Sequence, residues 1–301
     1  MLENMQFDKS KIMKIKEIKR QALDSLSGRW GTAILVCFIY FILLSSISIT
    51  IGGFTSINIL RDFTLLSSYN DINQYANQTS TSQLILNLNQ LINLVIAGPL
   101  IYGLSGFFLN IIRKNNIRIE NLFSGFKRFG KSFLLNLVIS IFTVLWWLAI
   151  MLPVIIISVI IITIIIMTTG FNEGMNSVGN FESSFGIFIS FGIIIFLVSI
   201  IAFIICTIII FRYKLAYYIY VDNNDYDIMD CIKQSKIMMK GFKIKLFLLY
   251  LSFIGWWILS CISLGIGFLW LTPYIQTSTA IFYENLKDAY FGEEEKLKTN
   301  Q

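Results

Sequence analysis

The sequence contains no histidine, only three prolines and four cysteines, and charged residues make up just 14% of its 301 positions. Each shortage excludes something. Without histidine there is no histidine-ligated metal centre, no Ser-His-Asp or Cys-His nucleophile and no histidine proton relay. The cysteines stand at 37, 206, 231 and 261 with no Cys-x-x-Cys pair, so neither a thiolate metal cage nor a redox motif is indicated. Buried thiols acting as small apolar side chains are expected instead. No glycine-rich phosphate loop occurs, and no acid lies well inside an apolar run. This inventory predicts no catalytic residue, no metal and no cofactor, and the chain is expected not to be an enzyme.

What is abundant is apolar mass: hydrophobic residues make up 55% of the chain, against about 45–50% in soluble domains. Several runs exceed the roughly 20 residues needed to cross a bilayer as a helix. They are continuous and Ile/Leu/Phe-rich and do not alternate, which argues against a β-barrel. The fold class expected is therefore all-α, a polytopic membrane protein forming one integral membrane domain over 1–301.

In chain order, residues 1–31 hold a basic amphipathic segment in which Ile15, Ile18, Ala22 and Leu26 recur at helical spacing among lysines. It reads as an interfacial helix whose apolar face enters the headgroup boundary. Six spans are expected, at about 32–53, 84–112, 132–167, 184–211, 245–261 and 265–283, with a polar loop at 54–83 and a charged, frayed tail at 284–301. The first is read as a retained span and not a cleaved signal. The run 132–167 is too long for one straight crossing. One span kinked at Pro153 is preferred to a re-entrant pair, because no charge or turn cluster accompanies the proline. With both termini on one side, every Lys and Arg of the 24 except Arg61 falls on that side. The positive-inside rule makes it cytoplasmic.

The chain also repeats a plan. Ile15–Gly28, Ile119–Gly130 and Ile228–Gly241 each run an apolar-and-basic segment up to a glycine, and a span follows. Trp146-Trp147 and Trp256-Trp257 lie at matching places in the second and third units. The expectation is three parallel interfacial-helix-plus-hairpin repeats about an axis along the membrane normal, able to enclose a central cavity.

Tyr213-Lys-Leu-Ala-Tyr-Tyr218 with Asp222, Gln234-Ser235, Met238-Met-Lys-Gly241, Leu251-Ser-Phe-Ile-Gly-Trp256, Pro273-Tyr274 and Phe282-Tyr283 are similar to an uncharacterised bacterial family of integral membrane proteins, domain of unknown function 975. The N-terminal Ile18-Lys, Ala22, Leu26 and Gly28-Arg-Trp30-Gly resemble that family's start. The resemblance implies a multi-span protein of a bacterial cytoplasmic membrane with no established activity.

Three groups stand out as candidate sites. Asn87, Asn89, Gln90 and Asn93 form the densest polar cluster at membrane depth, read either as a cavity lining or as hydrogen-bond glue between helices. Lys127, Arg128, Lys131, Lys236, Lys240 and Lys243 are read as headgroup-binding bases or as plain topology anchors. Pro99, Pro153 and Pro273 are expected helix kinks. The partners expected are membrane lipids, chiefly anionic, with no nucleic acid; no protein partner is identified. The leading reading is a non-enzymatic envelope protein that binds lipid or an amphiphilic peptide, in envelope homeostasis or immunity. The alternative is a transporter of a small solute or lipid through a central cavity.

Overall fold

The computed structural model describes residues 13–44, 72–171 and 179–299. Every regular element among them is a helix. They are α1 (Ile15–Leu26), α2 (Trp30–Leu44), α3 (Ile72–Ile112), a 3-10 helix (Ile119–Arg128), α4 (Phe129–Phe171), α5 (Gly179–Ile210), a 3-10 turn (Phe211–Tyr213), α6 (Ala216–Asp222), α7 (Ile228–Met238), α8 (Lys243–Leu251), α9 (Ile254–Ile262) and α10 (Phe268–Thr299). Among the described residues four helices are long and apolar enough to cross a membrane: Leu91–Ile112, Ile119–Ile164, Ile189–Asp222 and Lys243–Ile262. The bent pair α1 and α2, turned by 99° across its break, brings the number to five. α10 is not among them, because Gln276, Thr277, Ser278, Thr279 and Glu284 dilute its apolar stretch.

The chain forms two compact units, residues 1–138 with 215–301, and residues 139–214. In the first, the second half of α3 is the centre: Leu100, Phe107, Phe108 and Ile111 are fully covered by protein. The 3-10 helix, α10 and α6 pack around it. The approach is close because the touching positions are small. A methyl group on Gly103 would collide with the Leu122 backbone, and one on Gly125 would collide with the Pro99 carbonyl. Between lipid-embedded helices burial supplies little drive, so this kind of backbone proximity carries the association. The second unit holds the rest of α4, α5 and the 3-10 turn, with the Trp147 ring edge-on to Phe203. Its apolar side chains are mostly exposed, as lipid-facing side chains are: Ile155, Ile164, Ile193 and Phe196 are examples. Inside it the Trp146 indole donates to the Tyr213 hydroxyl at 3.2 Å, and Phe142 stacks on the Tyr213 ring.

Several expectations change. The apolar stripe of α1 does not face outward: Ile18, Ala22 and Leu26 have no exposed surface and pack mainly against α10. A stripe of that spacing serves a protein neighbour as well as a bilayer, and the spacing alone cannot tell them apart. α3 begins by Ile72, inside the stretch read as polar loop, because residues 72–83 contain no glycine or proline to stop a helix. The rest of that loop lies outside the described residues. The segment 284–299 is no frayed tail but the continuation of α10. Leu286 and Tyr290 are buried and extend the inward stripe of Ile281, Phe282 and Tyr283 by two turns. α4 runs unbroken through Pro153, as a single helix of 43 residues. Pro99 and Pro273 likewise sit inside α3 and α10 without ending them.

The three surface segments are not copies of one another. α1 and α7 are α-helices that lead to glycines in the left-handed region, Gly28 at φ 73° and Gly241 at φ 87°. The middle segment winds as a 3-10 helix and passes straight through Gly130 into α4, with no such turn.

Candidate functional site

The best-formed polar constellation lies where α3 and α6 end against the middle of α10. Asp222 is the last residue of α6, and a carboxylate at a helix C-terminus meets the negative end of the dipole. It persists there because two cations cover it. Arg113, one residue past α3, grips it in a fork, with Nη1 to Oδ1 at 2.7 Å and Nη2 to Oδ2 at 2.9 Å. Lys287 of α10 donates to Oδ2 at 2.6 Å, and the Tyr283 hydroxyl donates to the same oxygen at 2.9 Å. Glu284 closes the cluster by accepting from Arg113 Nε at 2.6 Å. The Asp222 side chain is 6% exposed, against 31% for each cation. The Asp222 hydrogen bond and then the two carboxylate charges outweigh burial and push the Arg113 pKa upward.

Two bases and two acids leave this cluster neutral, and each group in it already has a partner. Chemically it is a clamp: it ties the ends of α3 and α6 to the middle of α10 and offers no reactive group. The Tyr218 ring stacks on the Tyr283 ring at 5.4 Å and completes it. The end of α3 is finished by the backbone. Lys114 adopts φ 56°, Asn115 N–H bonds to the Asn110 carbonyl, and Arg29 donates to the Ile111 carbonyl at 2.9 Å.

A second polar relay sits deeper in the same unit. Asn136 of α4 donates from Nδ2 to the Leu94 carbonyl at 2.9 Å and accepts from the Tyr217 hydroxyl at 2.8 Å. The Ser132 hydroxyl lies 3.2 Å from the Gly125 carbonyl, and Tyr102 donates to the Asn224 side chain at 2.7 Å. In lipid such amides and hydroxyls are fasteners between helices, worth about 0.6–2 kcal/mol each. Asn136, Tyr217 and Tyr102 did not stand out in the sequence as polar sites, since one amide and two tyrosines in apolar runs look like packing.

Of the amide cluster read either as a cavity lining or as glue between helices, Asn93 is half-buried on α3, while the side chains of Asn87, Asn89 and Gln90 lie outside the described residues. The bases are placed more clearly. Lys127, Arg128 and Lys131 are exposed at the junction of the 3-10 helix and α4, and Arg128 reaches toward the Asn224 carbonyl at 3.5 Å. Lys240 is exposed in the turn after α7, and Lys236 and Lys243 are half-buried on either side of it. Cys37, Cys206 and Cys231 are buried and Cys261 is exposed on α9. The Cys231 thiol is pushed up to about 11, by burial first and then by the neighbouring Asp230 and Asp227.

A groove of about 600 Å³ lies along α1, lined by Ile15, Lys16, Lys19, Arg20, Leu23 and Tyr274 together with Asp24 and Ser252. Asn93 does not line it. At its wall the Lys19 ammonium donates to the Ser252 carbonyl at 3.1 Å and sits 4.3 Å from the centre of the Phe253 ring. Ser252 stands at the break between α8 and α9, so the break supplies the carbonyl and the ring that hold Lys19.

Residues 13–290 match the family model described as a protein of unknown function, DUF975. No curated protein matches the chain, and no solved structure does. With nearly the whole chain inside the match, the protein belongs to the DUF975 family.

Proposed function

We propose that this protein is a non-enzymatic, six-span protein of a bacterial cytoplasmic membrane that binds anionic lipid along a basic cytoplasmic rim. The six spans are the four apolar helices, α2 as the crossing arm of the bent pair, and α10, with both termini on the cytoplasmic side. In this reading the spans form three hairpins, each preceded by a basic segment. The observation that carries the lipid reading is the exposure of Lys127, Arg128, Lys131 and Lys240, outside the Asp222 clamp. Each base near an anionic leaflet contributes about 1 kcal/mol. The clamp consumes its own charges and leaves the rim cationic.

Thermal unfolding in detergent tests this. Titrating phosphatidylglycerol raises the midpoint, because a ligand of the folded state stabilises it by mass action, while phosphatidylcholine leaves it in place. Added salt shrinks the effect. Equal shifts from the two lipids would count against anionic recognition. A cytoplasmic reading of both termini is checked by labelling single cysteines added at residues 3 and 300 in intact cells; reaction with a membrane-impermeant maleimide at either end overturns the topology.

A further inference from the structure

α1 is anchored by one side only. Ile18, Ala22 and Leu26 fill its contact with α10, whereas Lys16 and Arg20, one turn apart, and Leu23 are exposed on the side that borders the groove. The 99° bend between α1 and α2 sets the level of this side. If α2 crosses the bilayer, α1 lies along its surface, with the groove at headgroup depth. The lining then has the two halves that a phospholipid needs. Lys16, Lys19 and Arg20 outweigh Asp24 in charge, and Ile15, Leu23 and the Tyr274 ring supply an apolar floor. Lys19 is oriented in advance. Its ammonium has three donors; one goes to the Ser252 carbonyl while Phe253 shields another side, which fixes the long side chain at the groove wall. The groove, of about 600 Å³, is open along its length, so a ligand there would lie in it partly exposed.

We propose that this groove is a discrete site for one anionic phospholipid. Lys16 and Arg20 bind its phosphate, Lys19 stands behind them as a fixed cation, and an acyl chain lies over Ile15, Leu23 and Tyr274. The site rests on the anionic-lipid reading above but narrows it to a place and a stoichiometry. Arginine's fork suits a phosphate in two-point contact, and a lysine one turn away adds a point charge.

Native mass spectrometry of the full chain, released from nanodiscs of mixed phosphatidylglycerol and phosphatidylcholine, tests it. Three proteins are compared: wild type, K16Q/R20Q, and K127Q/K131Q/K240Q as a control that removes rim charge elsewhere. All five substituted residues are exposed, so the folded yield and the melting midpoint stay at the wild-type level. The expected result is one tightly retained phosphatidylglycerol on wild type and on the rim triple variant, since rim lipids are held diffusely and leave on release, and its loss from K16Q/R20Q. Retention by K16Q/R20Q overturns the groove. If the rim variant then loses lipid, the wider reading stands alone. If neither variant loses any, both readings fall. Equal loss from both variants makes the charge effect diffuse and also overturns the groove. Displacement of the lipid by an anionic amphipathic peptide, seen as a peptide-bound mass in place of phosphatidylglycerol, would assign the groove to a peptide and overturn the proposal.

Discussion

Neutralising Asp222 is the sharpest perturbation the structure offers. In Asp222→Asn the side chain keeps its size, and its amide oxygen still accepts from Tyr283 or from one arm of Arg113. What disappears is the charge that two cations share. Arg113 retains Glu284, at 2.6 Å from Nε, but Lys287 loses its partner. The cluster goes from neutral to a net positive charge. Removing one member of a buried ion pair costs about 3–5 kcal/mol, but here both cations are 31% exposed. Water therefore takes up part of the loss, and about 2–3 kcal/mol is expected. The control is built into the same molecule. Asp230 pairs with Lys233 at 3.4 Å, with both side chains more than half exposed, 59% and 65%. Asp230→Asn removes the same charge at a cost of about 0.5 kcal/mol or less.

The assay is thermal unfolding of the purified protein, followed by tryptophan fluorescence and by loss of the monodisperse size-exclusion peak. At about 2–4 °C per kcal/mol for a chain of this order, Asp222→Asn lowers the midpoint by about 5–10 °C and Asp230→Asn by about 1–2 °C. A double-mutant cycle with Arg113→Met gives a coupling of at least about 1 kcal/mol if the two side chains act through each other. Equal shifts for the two aspartates, or a coupling near zero, would refute the clamp.

Gly125→Ala drives a methyl group into the Pro99 carbonyl, and backbone cannot rotate away, so the 3-10 helix separates from α3 and folded yield drops, with a cost of about 1–3 kcal/mol. Gly130→Ala faces open space inside a helix and is neutral or stabilising by up to about 1 kcal/mol; size-exclusion profiles of the two variants, run side by side, decide this. Cys231 resists a water-soluble maleimide at pH 8 until the protein is denatured, because burial and two aspartates hold its pKa near 11. The folded state keeps a proton that the unfolded thiol sheds, so stability is unaffected at neutral pH and falls as pH rises from the ordinary thiol value of about 9 toward 11.

Composition revealed the helical membrane class directly, because runs such as 184–211 leave no other solvent for themselves. The prolines were placed inside helices, and the turn at 263–267 appears where glycines mark it, with Leu264 and Gly265 both left-handed. What the sequence did not reveal is which apolar stripe meets protein and which meets lipid. Ile18, Ala22 and Leu26 on α1 and the exposed isoleucines of α4 and α5 look alike by residue type, yet one set is covered and the other is bare. The clamp was illegible for a different reason. Its partners are separated by 109, 171 and 65 positions, and Glu284 and Lys287 stood in what composition marked as a tail. The one usable signal was the spacing Tyr283, Glu284, Lys287, which puts three polar groups on one turn of a helix facing Asp222.

The motifs that carry the family resemblance turn out to be largely fasteners. Tyr217 ties α6 to Asn136, Tyr218 and Tyr283 stack, Asp222 anchors the clamp, and Gly241 supplies a left-handed turn. Phe253 and Tyr274 flank the Lys19 ammonium. A membrane bundle gains little from burial of one apolar surface against another, so its distinguishing residues are the polar and aromatic ones that lock helices together. Residues used up in that way have their hydrogen bonds and charges spent on one another. Any ligand must therefore be met by groups the fold leaves over, and on the described surface those include cations beside apolar ground, Lys16 and Arg20 above Leu23 and the rim at Lys127, Lys131 and Lys240, alongside exposed acids such as Glu120, Asp225 and Asp227. In the proposed reading such cations at the edge of apolar helices meet an anionic amphiphile, and the groove on α1 is where the two kinds of surface lie side by side.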